Sequence, residues 1–320
     1  MSETAAVTRE ALSRLPPLSR GLLLVFTSLT AGCEKPPDQP STPVSERISI
    51  AVTSYPLLAM AKQIAGDSAD IELVVSNGTS PDWKPQPGAI RKMQQSRRIL
   101  ISGGDYEPWL QRVTLPRSRL IDTARGYYDQ LIRVPDAVMH QHGPEGGHSH
   151  PGIIWATWLD PRLVISQLDQ TRDVLLEILP DSEASIRKAS DGLAQEFRRL
   201  DVHLEEIAAM TADVGITVLG DAPVYQYLVE RLGWHLNYVH VPAQSPLSEK
   251  DRGSLQKAIA EYQPTLVFVR STLADELERM HSDSEAPFVL IDLCQIADDD
   301  QTLVQRMAQN LDVIQRSIPH

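Results

Sequence analysis

Histidine is concentrated in one short segment of this 320-residue chain. Four of its nine histidines, His140, His142, His148 and His150, fall between residues 140 and 150. Imidazole is a good ligand for soft divalent metals near neutral pH, and the glycines among these histidines allow a loop to fold around an ion. The segment therefore predicts a loop that collects Zn(II) weakly. A solvated loop with no ordered metal is the alternative.

Three aspartates, Asp82, Asp221 and Asp292, form a second candidate site. Each lies just beyond the C-terminal end of a predicted parallel strand, and ligands of open α/β sheets bind at this edge. Three carboxylates that converge there would repel one another unless a cation lay among them. The pattern predicts an oxygen-rich cation site at this edge. The competing interpretation is that each aspartate caps a turn or a helix.

The residue patterns of the common enzyme classes are missing from the sequence. No Ser-His-Asp or Cys-His arrangement falls on adjacent loops, and no phosphate-binding or dinucleotide-binding glycine pattern follows a strand. Gly103 and Gly104 do follow a predicted strand, but without a lysine or further glycines they indicate a tight turn. We expect a binding protein rather than an enzyme.

The elements that must position these residues follow an alternating pattern, which predicts parallel sheets flanked by helices. The pattern occurs twice, so we expect an α/β fold of two lobes. In the first lobe, strands are predicted at 48–53, 71–75 and 99–102, with helices at 57–65 and 89–95; in the second, strands are predicted at 216–219, 236–239, 266–269 and 288–291, with helices at 224–232, 247–261 and 273–281.

A helical region separates the two series of strands. Asp160 before Pro161 is typical of a helix start, and leucines follow at helical spacing as far as Pro180. A second helix, capped by Asp181, is predicted to run to residue 210, which would make it roughly 45 Å long. We expect residues 161–212 to join an N-terminal lobe at 47–160 to a C-terminal lobe at 213–320, with the long helix as a rigid link.

The start of the chain is typical of an exported lipoprotein. A short apolar run ends in LTAGC at residues 29–33, so residues 1–33 are predicted to be a signal peptide with lipid attached at Cys33. Residues 34–46 are rich in proline and polar residues, as in a tether. If Cys33 carries lipid, Cys294 has no disulfide partner within the chain. A net charge of −12 argues against nucleic-acid binding, and no other apolar run is long enough to cross a membrane.

Several motifs together resemble the zinc- and manganese-type solute-binding proteins of metal ABC importers. They are GTSP at 78–81 with WKPQP at 83–87, WLDP at 158–161, and YQYL at 225–228 followed by Leu232 and Gly233. The resemblance implies a lipid-anchored, extracytoplasmic, monomeric protein that binds a divalent metal, zinc first and manganese second, and delivers it to an inner-membrane ABC permease. It also implies that the long helix limits lobe closure to small movements.

The resemblance implies a metal site of three histidines and one carboxylate, from which this chain departs. The three histidine positions correspond to Asp82, Ala156 and Ala222, the last of these next to Asp221, whereas Asp292 occupies the carboxylate position. His148 and His150, which lie nearest to WLDP, would fold back between the lobes to replace the missing ligands. Carboxylates with one or two loop histidines would hold metal more loosely than a full set of imidazoles and would shift the preference from zinc toward manganese or iron. The alternative function is that of a diverged member that has lost its metal and acts as an extracytoplasmic interaction or adhesion lipoprotein.

Overall fold

A parallel four-stranded sheet forms the first half of the fold. The computed structural model describes residues 47–75, 83–141, 147–243, 246–276, 286–298 and 300–319, with the backbone alone at 135–141 and 147–151. The strands lie in the order β2-β1-β3-β4. The elements are β1 (Ile48–Val52), α1 (Tyr55–Ala65), β2 (Ala69–Leu73), α2 (Pro87–Gln95), β3 (Arg98–Ile101) and β4 (Leu120–Asp122).

The apolar residues of this sheet are buried, as their pattern in the sequence predicts. The central strands read as apolar runs, as parallel strands covered on both faces do, and Ile50, Val52 and Leu100 have no exposed surface. Helix α1 follows β1 after Ser54, with Pro56 in its first turn, where a missing N–H group costs nothing. Gly66, at φ 53°, ends this helix and turns the chain into β2.

An antiparallel ribbon follows the first sheet. It consists of β5 (Arg133–Gln141) and β6 (Gly147–Ile153), which pair with a register shift between Val134 and Val138. The prediction of a loop over the histidine-rich segment was wrong for its two flanks, which are strands. The segment has few of the apolar and β-branched residues by which strands are recognised, whereas pairing between its two arms satisfies their backbone groups.

Two long helices connect the sheets. Helix α3 (Pro161–Ile178) is capped as predicted, since the Asp160 side chain accepts a hydrogen bond from the Arg162 N–H at 2.9 Å. Helix α4 (Glu183–Met210) has 28 residues, or roughly 42 Å. The prediction that Asp181 caps it was wrong, because Pro180–Ser182 forms a separate 3₁₀ turn.

The second sheet is also parallel, in the order β10-β9-β7-β8. The last helix of the chain, α7, begins with a capping box. The Thr302 side chain accepts from the Gln305 N–H, and the Gln305 side chain accepts from the Thr302 N–H. The elements are β7 (Thr217–Gly220), α5 (Gln226–Arg231), β8 (His235–Tyr238), α6 (Glu249–Tyr262), β9 (Leu266–Arg270), β10 (Phe288–Ile291) and α7 (Leu303–Ser317).

One hydrophobic cluster reaches from the first sheet to the second. It contains Ile50 of β1, Phe197 of α4 and Phe268 of β9, each with no exposed surface. The chain from Glu46 onward forms one compact unit. The two-lobed α/β fold with a long connecting helix is therefore confirmed, while the exact lobe boundaries stay a prediction. Among the described residues, no helix has the length and apolarity that a membrane span requires.

Candidate functional site

Asp292 lies at the carboxyl edge of the second sheet, directly after β10, and an arginine neutralises it. Its Oδ2 accepts from Arg306 Nε at 2.6 Å, and its Oδ1 accepts from Arg306 Nη2 at 2.8 Å and from the Cys294 N–H at 2.8 Å. The Asn310 amide bonds both backbone groups of Asp292, at 2.8 and 2.9 Å. The predicted cation ligand is therefore already engaged by a guanidinium group.

Arg306 also reaches beyond this carboxylate. Its Nη1 donates to the carbonyl of Ile296 at 2.6 Å, and its guanidinium carbon lies 5.3 Å from the ring centroid of Tyr55, which is a further hydrogen-bond partner. Burial works against the charge, but the bonds and attraction to Asp292 outweigh it and raise the pKa of Arg306 above its usual value. The guanidinium group is thus a fixed positive charge where the two halves of the fold meet.

Asp221, at the carboxyl end of β7, is fully buried and is also paired with an arginine. Its Oδ2 accepts from Arg270 Nε at 2.9 Å and from the Arg270 N–H at 3.3 Å, while its Oδ1 accepts from the Tyr225 hydroxyl at 2.6 Å. Burial raises the pKa of the Tyr225 hydroxyl, and the negative charge of Asp221 raises it further. This geometry matches a structural aspartate more closely than an open ligand position.

The two alanines at histidine positions of the implied site lie in apolar surroundings. Ala156 has no exposed surface and Ala222 is 7% exposed, and both belong to the hydrophobic cluster that also contains Trp158. The Trp158 ring N–H donates to the carbonyl of Leu293 at 2.8 Å and so joins the loop before α3 to the loop after β10. Within the described part of the chain, no three His, Cys, Asp or Glu side chains form a group suited to a metal.

The ribbon brings three of the predicted histidine positions together. Its register pairs His140 with His148, and Val138 with His150. Because alternate positions of a strand share a face, positions 140, 148 and 150 lie on one face of the ribbon. Asp82, His142 and Cys33, which were also predicted to carry function, lie outside the described residues.

Glu107 is a buried carboxyl group that no motif in the sequence indicates. It is 5% exposed and accepts hydrogen bonds from Thr53 Oγ1 at 2.6 Å, the Ser102 N–H at 2.8 Å and the Gly103 N–H at 3.1 Å. Burial raises its pKa to about 7, although these three donors oppose the shift. Gly103 has φ 74°, and a Cβ there would collide with the Asp122 carboxylate, so the predicted tight turn requires this glycine.

Glu107 also lines a cavity of about 430 Å³ at the carboxyl edge of the first sheet. Asp105, Asp122, Tyr128 and Arg133 contribute polar groups to its wall. The Tyr128 hydroxyl donates to Asp122, which also accepts from the Ala124 N–H at 3.0 Å. The glycine pair after β3 was the one sequence signal for this region, and it indicated a turn without indicating the carboxyl group that the turn encloses.

Comparison with known proteins settles the family. The model of the family described as zinc-uptake complex component A, periplasmic (ZnuA), matches residues 50–317. The chain belongs to the ZnuA family. Members of this family are solute-binding proteins, so the expected binding role, as opposed to an enzymatic one, is confirmed.

The curated relatives of this ZnuA-family chain include the zinc-binding lipoprotein AdcA of Streptococcus pneumoniae. It is 26% identical over an alignment of 225 residues, which covers 68% of this chain and 43% of AdcA. The matched region thus spans less than half of the length of that relative.

Solved structures share the fold of this ZnuA-family chain at low identity. The metal-dependent lipoprotein YcdH of Bacillus subtilis is 18% identical with a TM-score of 0.66, and the alignment covers 85% of this chain and 99% of YcdH. The solute-binding protein FpvC of Pseudomonas aeruginosa is 16% identical with a TM-score of 0.68, covering 85% of this chain and 98% of FpvC.

Proposed function

We propose that this chain is the extracytoplasmic component that captures a divalent transition metal, zinc first and manganese second, for an ABC permease in the inner membrane. The family, named for zinc uptake, supports this role, as do the zinc-binding relative AdcA and the structure of FpvC in complex with Mn²⁺. We further propose that a lipid on Cys33 holds the protein, as a monomer, at the membrane surface.

The observation that carries the proposal is the register of the ribbon. Residues directly opposite each other in an antiparallel pair have Cβ atoms about 4.5–5.5 Å apart. The pairing of His140 with His148, and the position of His150 two residues further along β6, favour three imidazole ligands for one ion. Zinc bound by three protein ligands keeps an open position, which suits an ion that must be passed on.

The test is a titration of the purified protein with Zn(II) and Mn(II), read by competition with a chromophoric chelator. We expect wild type to bind Zn(II) more tightly than Mn(II), because imidazole nitrogen favours zinc. The triple variant H140A/H148A/H150A is expected to bind Zn(II) at least tenfold more weakly.

The matched control removes histidines from outside the ribbon. His235 lies exposed at the start of β8, and His203 of α4 bonds Gln315 of α7 at 2.9 Å. The variant H203A/H235A should titrate as wild type does. Wild-type affinity in the triple variant would contradict the ribbon as the site of capture.

Delivery to a permease is tested in cells that lack the endogenous copy of the chain. Expression of the wild-type protein should restore zinc accumulation at low external zinc, whereas the ribbon variant should not. A Cys33→Ser variant should lose incorporation of labelled fatty acid and appear in the soluble extracytoplasmic fraction. Equal zinc accumulation with and without the chain would contradict the role in import.

A second candidate function is favoured by the contacts of the interlobe residues. Ala156 and Ala222 are packed in the core, and the two candidate ligands Asp221 and Asp292 are each paired with an arginine. These contacts support a diverged member that has lost metal binding and acts as an extracytoplasmic interaction or adhesion lipoprotein. Failure of wild type to bind either metal in the titration would select this alternative.

A further inference from the structure

Asp292, at the carboxyl edge of the second sheet, has its positive counter-charge within the chain. Both of its oxygens accept from Arg306, at 2.6 and 2.8 Å, in the bidentate geometry that guanidinium and carboxylate groups form best. Arg306 is 5% exposed as a residue. A divalent ion at Asp292 would compete with this buried guanidinium group for the carboxylate and would be repelled by its positive charge.

The same guanidinium group connects the two halves of the molecule. Arg306 belongs to α7, which follows the last strand of the second sheet, whereas Tyr55 begins α1, directly after the first strand of the first sheet. The distance of 5.3 Å from the guanidinium carbon to the Tyr55 ring centroid is that of a cation–π contact, which is stronger when it is shielded from water. Tyr55 is 7% exposed, so this contact is shielded.

Other contacts join the halves beside Arg306. The Trp158 ring N–H donates to the carbonyl of Leu293 at 2.8 Å, and Tyr106 forms a side-chain hydrogen bond with Gln295. The rings of Tyr106, Trp155 and Trp158 lie with their centroids 5.5–5.8 Å apart. The loop that follows Asp292 is therefore seated against an aromatic group from the first half of the fold.

We propose that Arg306 is an internal cation that holds the two lobes closed without a bound metal and withholds Asp292 from metal coordination. The first part of this proposal stands by itself. The second part, that metal binds the ribbon without Asp292, rests on the function proposed above.

The first part is tested by amide hydrogen exchange of the purified protein, read by mass spectrometry in segments 153–159 and 292–296. Wild type should exchange at the same rate, within twofold, in excess chelator and in saturating Zn(II). Arg306→Met keeps most of the side-chain volume but removes the charge, and we expect exchange at least tenfold faster in both segments. Arg316→Met is the matched control, because Arg316 lies exposed on the same helix and should leave both rates unchanged.

Two results would overturn this part: zinc that slows wild-type exchange tenfold in these segments, or wild-type rates in Arg306→Met. If Arg306→Met does not fold, Tyr55→Leu replaces it, because this change removes the contact with the opposite lobe and leaves the pair of Arg306 and Asp292 in place. We expect tenfold faster exchange in segment 153–159 of Tyr55→Leu. An unchanged rate there would also refute the proposal.

The second part is tested by titration of Asp292→Asn with Zn(II). Its stoichiometry and affinity should equal those of wild type within twofold, and a tenfold loss of affinity would show that Asp292 is a ligand. Should wild type bind no zinc, the function proposed above fails, while the exchange experiment still decides whether Arg306 holds the lobes closed.

Discussion

Glu107 links the stability of the protein to pH. Its pKa of about 7, raised mainly by burial from 4.5, means that the folded protein keeps this carboxyl group protonated where the unfolded chain has lost the proton. The stabilisation is complete below pH 4.5 and is lost as the pH rises through 7. A difference of this size corresponds to about 3 kcal/mol in the free energy of unfolding.

We therefore predict that Glu107→Gln flattens the pH dependence of stability. Between pH 4.5 and pH 8, the free energy of unfolding of wild type should fall by about 3 kcal/mol relative to that of the variant, because glutamine does not ionise. Urea denaturation at several pH values measures the difference. Glu206→Gln, an exposed change on α4, is the control and should run parallel to wild type.

The sequence indicated which aspartates lie at the sheet edges, but it did not predict which arginines pair with them. Asp160 was correctly assigned as a helix cap, because its partner is the N–H group two residues along the chain. Asp221 and Asp292 find their arginines 49 and 14 residues away. Such pairs depend on strand order and helix packing, which local spacing does not contain.

At the scale of elements, Arg231 at the end of α5 joins three helices. Its Nη1 lies 2.7 Å from Asp160 Oδ1 at the start of α3, and its Nη2 lies 2.6 Å from Asp201 Oδ1 on α4. The side chains of Arg231 and Asp160 are 9% and 5% exposed. Without Arg231, the buried Asp160 would keep the more exposed Arg162, at 3.1 Å, as its ionic partner, and its burial would be poorly compensated.

We predict that Arg231→Met lowers the free energy of unfolding by about 3 kcal/mol. The control is Arg162→Met, which removes the other arginine on Asp160; that side chain is 52% exposed, so the loss should stay below about 1 kcal/mol. Urea denaturation of both variants provides the comparison. An equal loss in the free energy of unfolding in both variants would show that the contacts of Arg231 with the three helices contribute no more than an exposed ion pair.

Regular elements with strong periodicity were predictable, and those defined by pairing were not. Apolar runs marked seven of the eight strands of the two sheets, and spacing of three and four residues marked the buried face of α4. The three-residue strand β4 was not predicted, because it is too short to show a periodic pattern. The ribbon was missed because its strands are short of apolar residues and exist through their register with each other. The start of α4 was misplaced because Pro180 and Asp181 suit a 3₁₀ turn as well as a helix start.

At the scale of the whole molecule, the hydrophobic cluster shared by the two sheets predicts cooperative unfolding. Val52 of β1, Leu204 of α4 and Ile291 of β10 belong to this cluster. Each lobe also has a smaller apolar cluster of its own, around Met93 in the first and Leu255 in the second, but unfolding of either lobe would expose the larger shared cluster. We predict one calorimetric transition with equal calorimetric and van't Hoff enthalpies. Two resolved transitions would mean that the cluster divides into independent halves.

Cys294 follows Asp292 by two residues and is the free cysteine among the residues that the structure describes. Burial raises the pKa of its thiol, and the side chain has no exposed surface. A thiol-reactive reagent can therefore modify Cys294 only while the loop after Asp292 has moved away from the rings of Tyr106, Trp155 and Trp158. The rate at which Cys294 is labelled therefore reports how often this loop opens in the wild-type protein.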